Sequence, residues 1–185
     1  QSDNIHNKNI AILGFGPIGM SVLLSAKLQN PSSILVTDLI ESRLNMAKNT
    51  SADITLHPFK EDITNVLKNQ DSPSKYDVIY ECCGKQEAIE DALNIIKPGG
   101  KLMILGIPEF DHWKFSADHI RRKEVTIINI RRQLNCTEEL LDIIDEGKIK
   151  PEQMKTHSFS FYDTEKAFQI VRDYQDNVMK AMINF

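Results

Sequence analysis

Short apolar runs alternate with stretches of helical periodicity along most of the chain. The apolar runs predict six β-strands, at residues 9–13, 34–37, 53–56, 76–80, 101–105 and 124–130. Apolar positions about 3.6 residues apart predict helices between them, at residues 18–29, 41–49, 61–68 and 86–96. Strands that alternate with helices form βαβ units, whose strands pair in parallel. The pattern therefore predicts an α/β fold: a Rossmann-type, doubly wound, six-stranded parallel sheet with helices on both faces.

Turn residues separate these segments. Asn30-Pro31 ends the first helix, polar residues 71–74 predict a loop, and the sequence KPGG at 97–100 ends the fourth helix. After residue 130 the pattern changes to a C-terminal tail of helices and one strand, predicted at residues 137–146, within 161–174 and at 178–185. The tail breaks the strand-helix rhythm and is expected to lie outside the sheet.

The loop between the first strand and the first helix has the sequence GFGPIG. Three glycines in this spacing, after a strand and before a helix, are typical of dinucleotide binding. Gly14 permits a tight turn, Gly16 lets the backbone approach a pyrophosphate, and Gly19 allows close packing of the helix on the sheet. Pro17 and Ile18 open the helix, where unpaired N–H groups and the helix dipole favour phosphate. A plain glycine turn is the alternative.

Asp38 stands at the end of the second predicted strand, about 20 residues after the last glycine of the loop. An acid at this distance bonds the ribose hydroxyls of a dinucleotide. Because its carboxylate repels the additional phosphate of NADP, we expect NAD to be preferred. Asp38 can also act as a turn aspartate that caps the helix at 41–49.

Composition narrows the class of protein. Of the 185 residues, 41% are hydrophobic and 26% charged, as in globular proteins. A formal net charge of −4 argues against nucleic acid as a partner. Apolar runs stay below the roughly 18 residues of a membrane span, so no membrane partner is expected. The three cysteines, two of them adjacent, favour a reducing cytoplasm over a disulfide framework. Gln1 in place of Met suggests an excised fragment, with a processed chain as the alternative.

Four segments extend the evidence over nearly the whole chain: AILGFGPIGM, VTDLIESRLNMAK, ECCGKQEAIEDALNIIKPGGKLMILGIP and VMKAMINF. In order and spacing they resemble the C-terminal, cofactor-binding half of zinc-dependent medium-chain dehydrogenases, such as sorbitol, threonine and alcohol dehydrogenases. The resemblance implies that the full-length protein is an NAD-dependent alcohol or polyol dehydrogenase. Such an enzyme transfers hydride between NAD and a hydroxyl or carbonyl substrate.

The resemblance also implies cofactor contacts at individual positions. Arg43 matches the arginine that lies over the adenine ring, and Lys180 matches a basic residue that touches the pyrophosphate. Arg132 corresponds loosely to a residue near substrate. Residues at the ends of the fourth and fifth strands match the backbone around the nicotinamide and its ribose: Cys82, Cys83, Gly84, Gly106 and Ile107. For each of these residues, packing or a solvated surface position is the alternative.

The zinc ligands of the family have no counterpart in the sequence, which contains neither C-x-x-C nor H-E-x-x-H. Zinc is therefore expected only in an N-terminal domain that is absent here, and we predict neither catalytic nor metal-binding residues in this chain. Residues 1–153 are predicted to form the NAD-binding domain. Residues 154–185 are predicted to pack on the absent domain and to expose apolar surface without it. The resemblance further implies a homo-oligomer, paired near residues 125–130.

Three alternatives stay open at this point. KPGG before a strand also occurs in methyltransferases, but those enzymes usually carry an acid where Leu13 stands. A zinc-free quinone reductase of the same superfamily usually favours NADPH, against which Asp38 argues. A non-enzymatic NAD-sensing module is the third alternative, and the tail at 178–185 argues against it.

Overall fold

The computed structural model describes residues 4–69, 75–132 and 135–185, so the predicted loop at 71–74 lies outside the described residues. The chain divides into two compact units, Gln1–Arg132 and Gln133–Phe185, each with a sheet of its own. The predicted boundary between residues 153 and 154 concerns the docking of a further domain and stays a prediction.

The first unit contains the predicted six-stranded sheet, in the order β3-β2-β1-β4-β5-β6. All five neighbouring pairs are parallel. The chain runs outward from β1 to β3 and then returns to the other side of β1, so its winding direction reverses between β1 and β4. The bounds of the strands are Asn9–Leu13 (β1), Ser33–Thr37 (β2), Ile54–Leu56 (β3), Tyr76–Glu81 (β4), Ile96–Ile104 (β5) and Thr126–Asn129 (β6).

Five helices of the first unit connect these strands. Because parallel crossovers are right-handed, reversal of the winding places helices on both faces of the sheet. No described helix is long and apolar enough to cross a membrane. The bounds are Pro17–Lys27 (α1), Glu41–Asn49 (α2), Ile63–Asn69 (α3), Gln86–Ile95 (α4) and Ala117–Lys123 (α5).

Helix α5 was not predicted from the sequence. It buries none of its residues, so it lacks the apolar periodicity of the other helices. The Ser116 hydroxyl caps its first turn by accepting a hydrogen bond from the His119 N–H at 3.3 Å. Its last turn carries Arg121, Arg122 and Lys123, a placement that suits the negative end of the helix dipole.

The central strands are buried on both faces, which explains their almost unbroken apolar sequences. Ile10, Ile12 and Leu35 are completely buried, and so is Ile79 at the middle of β4. The same rule explains why alternation of apolar and polar residues, the usual signal of a strand, is weak here.

The KPGG turn lies within the bounds of β5, which starts earlier than predicted. Ile96 pairs with Tyr76, and regular pairing resumes only at Lys101 opposite Val78. The residues between them form an irregularity in the strand. The predicted end of the fourth helix is confirmed, because α4 stops at Ile95.

The second unit combines two helices with a small parallel sheet. Its elements are Thr137–Asp145 (α6), Lys155–Ser160 (β7), Thr164–Arg172 (α7) and Lys180–Asn184 (β8). Strand β7 was not predicted, because its sequence KTHSFS is mostly polar and its pairing with β8 joins residues far apart in the chain. Two short 3-10 helices, Pro151–Met154 and Phe161–Asp163, flank β7.

We predict that Ile79→Ala lowers the free energy of unfolding by about 2–5 kcal/mol, because it opens a cavity in the centre of the sheet. Chemical denaturation measures the change. Leu28→Ala, at a residue 39% exposed beyond the end of α1, is the control and should change stability by less than about 1 kcal/mol. Equal losses for the two variants would contradict the described core.

Candidate functional site

The glycine loop lies where the winding of the sheet reverses. Gly14 follows the last residue of β1, and its N–H donates to the Thr37 carbonyl of β2 at 2.8 Å. Its φ of +93° favours glycine, and a Cβ there would lie 2.7 Å from the Cβ of Cys83. The turn therefore passes directly over the end of β4, at the carboxyl edge of the sheet, where ligands bind in doubly wound folds.

Gly16 and Gly19 serve different steric needs. A Cβ on Gly19 would collide with the Gly14 carbonyl, so this glycine lets α1 pack against the loop. A Cβ on Gly16 would meet only Arg43 Nη1, at 3.7 Å. Gly16 is also the N-cap of α1 and provides no side-chain cap. An open backbone beside an uncapped helix N-terminus fits a phosphate group.

Asp38 joins the end of β2 to the glycine loop. Its Oδ2 accepts the Phe15 N–H at 2.6 Å, and its Oδ1 accepts the Ile40 N–H at 2.9 Å. The side chain is 8% exposed. The second bond closes the turn before α2 but does not cap that helix, whose N-cap is Ile40 without a side-chain cap, so the expected capping role is wrong. The first bond fixes the carboxylate against the loop.

Arg43 reaches back from α2 towards the same carboxylate. Its Nη1 lies 3.9 Å from Asp38 Oδ2, and the side chain is 15% exposed. The guanidinium therefore faces the open side of Gly16 rather than bulk solvent. Its positive charge and planar guanidinium group therefore lie beside the open backbone of the loop.

The end of β4 is organised by Glu81, a residue that the sequence analysis did not select. Glu81 is completely buried. Its Oε1 accepts the N–H groups of Cys83 at 2.8 Å and Gly84 at 2.6 Å, and lies 3.1 Å from the Cys83 Sγ. An acid directly after the apolar residues Val78, Ile79 and Tyr80 was the available signal, but sequence alone does not distinguish a buried acid from one at the surface.

Gly84 and Gly106 allow the ends of β4 and β5 to approach at backbone distance. Gly84 has a φ of +70°, and a Cβ on it would collide with the Ile107 carbonyl. A Cβ on Gly106 would collide with the Gly84 nitrogen. Ile107 follows with 89% of its surface exposed. The two strand ends thus form a platform of backbone with one projecting apolar side chain.

The cysteines of this edge are poor nucleophiles. Loss of solvent, with the charge of Glu81 as a second cause, raises the pKa of Cys82 well above its ordinary value. The same causes, in the same order, raise the pKa of Cys83 to about 12. Both thiols are therefore protonated at neutral pH, which agrees with a packing or backbone role.

Two predicted residues lie outside this edge of the first unit's sheet. Lys180 is an exposed residue of β8 in the second unit, and its N–H donates to Thr156 Oγ1 at 3.3 Å. Arg132 is the last residue of the first unit, exposed and with a φ of +56°. Across residues 4–69, 75–132 and 135–185, no group of three or more His, Cys, Asp or Glu could hold a metal ion. The described residues therefore do not fit a zinc site.

A doubly wound sheet with a glycine loop at its switch point and an acid at the end of β2 defines a dinucleotide-binding α/β domain. The chain belongs to the zinc-binding dehydrogenase family, whose model matches residues 17–146. This confirms the resemblance to the cofactor-binding part of zinc-dependent medium-chain dehydrogenases.

Curated relatives agree with the family. The chain is 28% identical over 174 residues to sorbitol dehydrogenase of Bacillus subtilis, covering 94% of this chain and 49% of that protein. It is also 28% identical over 174 residues to L-threonine 3-dehydrogenase of Pyrococcus furiosus, covering 91% and 49%. The chain thus spans about half the length of these relatives.

Solved structures share the fold. An alcohol dehydrogenase from Escherichia coli CFT073 in complex with NADH superposes with a TM-score of 0.89 at 23% identity, covering 97% of this chain and 53% of that one. A dehydrogenase from Sinorhizobium meliloti 1021 bound to NADP gives a TM-score of 0.87 at 20% identity, covering 98% and 54%. At these identities the likeness establishes the fold alone.

We predict that Gly19→Ala lowers stability more than Gly16→Ala does, because Gly19 is closely packed whereas Gly16 is open. Gly19→Ala should lower the free energy of unfolding by about 1–3 kcal/mol, because the new methyl group overlaps backbone that must shift. Gly16→Ala should change it by less than about 1 kcal/mol, since its methyl group meets only a movable arginine. Thermal and chemical denaturation measure both, and an equal loss would contradict the described loop.

Proposed function

We propose that this chain is the NAD-binding half of a zinc-type alcohol or polyol dehydrogenase. The observation that carries the proposal is the carboxylate of Asp38, fixed by the Phe15 N–H at 2.6 Å beside the open backbone of Gly16. Phosphate charge suits the uncapped start of α1, and ribose hydroxyls suit an acceptor held at this distance from the loop.

Each segment of the carboxyl edge has a part in the proposed complex. The loop from Gly14 to Gly19, with Pro17 and Ile18 in the first turn of α1, binds the pyrophosphate. Asp38 binds the adenosine ribose, and Arg43 packs over the adenine. The nicotinamide ribose and ring rest on the platform formed by residues 82–84 and 106–107. Lys180 belongs to the second unit, and its contact with the pyrophosphate is proposed on the family resemblance alone.

Preference for NAD over NADP rests on Asp38. Of the two related structures, one holds NADH and the other NADP. Membership of the family therefore does not by itself distinguish NAD from NADP. A buried carboxylate at the adenosine ribose repels the 2′-phosphate of NADP, and its two backbone hydrogen bonds prevent it from turning away. Arg43, 3.9 Å from Asp38, already has that acid as its partner.

The reaction of the whole protein follows from the proposed cofactor. When bound, NAD supplies the carbon that accepts or donates hydride, and this chain's residues bind and orient it. Zinc, which polarises the substrate oxygen in such enzymes, belongs to an N-terminal domain. Because the chain spans half of its relatives, we expect it to bind cofactor without turning over an alcohol, polyol or sugar. Its free cysteines suit the reducing cytoplasm.

Calorimetric titration of the chain with NAD and NADP tests the proposal. We expect wild type to bind NAD more tightly than NADP. Asp38→Ala should weaken NAD about tenfold or more, because it removes charged hydrogen bonds that hold the loop. The same substitution should bring the two dissociation constants closer together.

Asp53→Ala is the matched control for that titration. Asp53 Oδ2 also accepts a backbone N–H, that of Ile34 at 2.7 Å, but at the amino end of β2. Its loss should reduce stability and leave the ratio of NAD to NADP affinity unchanged. Tighter binding of NADP by wild type would overturn the NAD preference, and binding of neither would overturn the function.

Apolar exposure in the second unit supports a neighbouring domain that covers it, whereas the homo-oligomer expected near residues 125–130 stays a separate proposal. Among the described residues, nine of the fifteen exposed large hydrophobic side chains belong to this unit, more than its size explains. Phe168 is 71% exposed, Tyr162 is 95% exposed and Phe185 is fully exposed. Surface of this kind marks an interaction site. We propose that residues 154–185 pack on the N-terminal domain.

We predict that the chain binds a hydrophobic dye or self-associates through this surface. Phe168→Ser should lower dye fluorescence or the fraction of dimer, because it removes a central apolar group. Phe59→Ser is the matched control, since Phe59 is equally exposed at 71% but lies in the first unit. A monomer that binds no dye would contradict the proposed interface.

A further inference from the structure

Glu81 is a completely buried acid to which the proposed function gives no part. Its Oε1 has two backbone N–H groups and a thiol as partners, whereas its Oε2 has no hydrogen-bond partner among the described residues. A buried polar atom without a partner is unfavourable. A methionine would fill a similar volume without that loss. The acceptor function of Oε1 is therefore what the carboxyl group contributes.

The partners of Glu81 connect the two sides of the proposed cofactor site. Cys83, held by Oε1, lies against Gly14 of the phosphate loop. Gly84, held by the same oxygen, lies against the carbonyl of Ile107. One acceptor atom therefore fixes a segment that touches the glycine loop on one side and the end of β5 on the other.

The backbone of Glu81 reinforces the same arrangement. Its carbonyl accepts the N–H groups of Leu105 at 2.8 Å and Gly106 at 3.0 Å. A Cβ on Gly106 would lie 2.5 Å from Oε2, so this carboxyl oxygen lies directly under the Gly84–Gly106 contact. Main chain and side chain of one residue thus hold both strand ends of the platform.

We propose that Glu81 is a positioning residue for the nicotinamide half of the cofactor. This inference rests on the proposed function, because it requires NAD on the carboxyl edge of the sheet. Its carboxyl group holds the Cys83 and Gly84 N–H groups and thereby sets the height of the platform under the nicotinamide. The adenosine half, bound near Asp38, does not depend on it. Glu81 therefore acts on one half of the ligand.

Comparison of NAD with ADP, which lacks both the nicotinamide ring and its ribose, tests this selectivity by calorimetry. Glu81→Met keeps the length of the side chain and removes the acceptor. It should weaken NAD about tenfold or more, as expected when buried donors lose their partner, and ADP less than about threefold. Glu81→Gln keeps an acceptor oxygen and should restore NAD affinity to within about threefold of wild type.

Asp77→Leu is the control on the same strand. Asp77 accepts the Asn9 N–H at 2.8 Å and binds Lys97, at the opposite end of β4. Its loss should lower the melting temperature without changing the ratio of NAD to ADP affinity. If Glu81→Met weakens both ligands equally, Glu81 is merely structural and the inference fails while the proposed function stands. If wild type binds neither ligand, both fail.

Hydrogen exchange of wild type provides a measurement that does not depend on a folded variant. Binding of NAD should slow exchange at residues 82–84 more than binding of ADP does, because only NAD places a ribose and a ring on the platform. Equal protection by the two ligands would overturn the positioning role.

Discussion

Backbone N–H groups must find acceptors where parallel strands leave the sheet, since the hydrogen-bonded ladder ends there. Two buried acids meet this need at the carboxyl edge. Asp38 holds the N–H of Phe15 after β1, and Glu81 holds those of Cys83 and Gly84 after β4. Through these bonds the turns are fixed, and the shape of the candidate site depends on them.

Glycines then decide how closely the fixed turns approach one another. The contacts of Gly14 with Cys83 and of Gly84 with Ile107 leave no room for a side chain, so the ends of β1, β4 and β5 form one continuous surface of backbone. Gly16 differs, because its open side faces Arg43 alone. Close packing of the backbone shapes the candidate site, and the open side of Gly16 leaves space beside the loop.

The two units differ in which features they carry. The first unit carries the glycine loop, both acids and the platform, and the family match extends from it as far as residue 146. The second unit carries much of the exposed apolar surface. The first unit therefore carries the proposed cofactor site, and the second unit carries the proposed docking surface.

The sequence by itself determined the α/β class, the six strands and the spacing from Gly14 to Asp38, because these depend on local periodicity and short motifs. Strand β7 and helix α5 were not predicted, since a polar strand forms only through its distant partner β8 and a short helix that packs against the core through Ile120 has little apolar periodicity. Only the tertiary structure decided that Glu81 is buried beneath the site. The sequence contains the acid, but its position beneath the site depends on the close approach of Gly84 and Gly106, which lie after different strands.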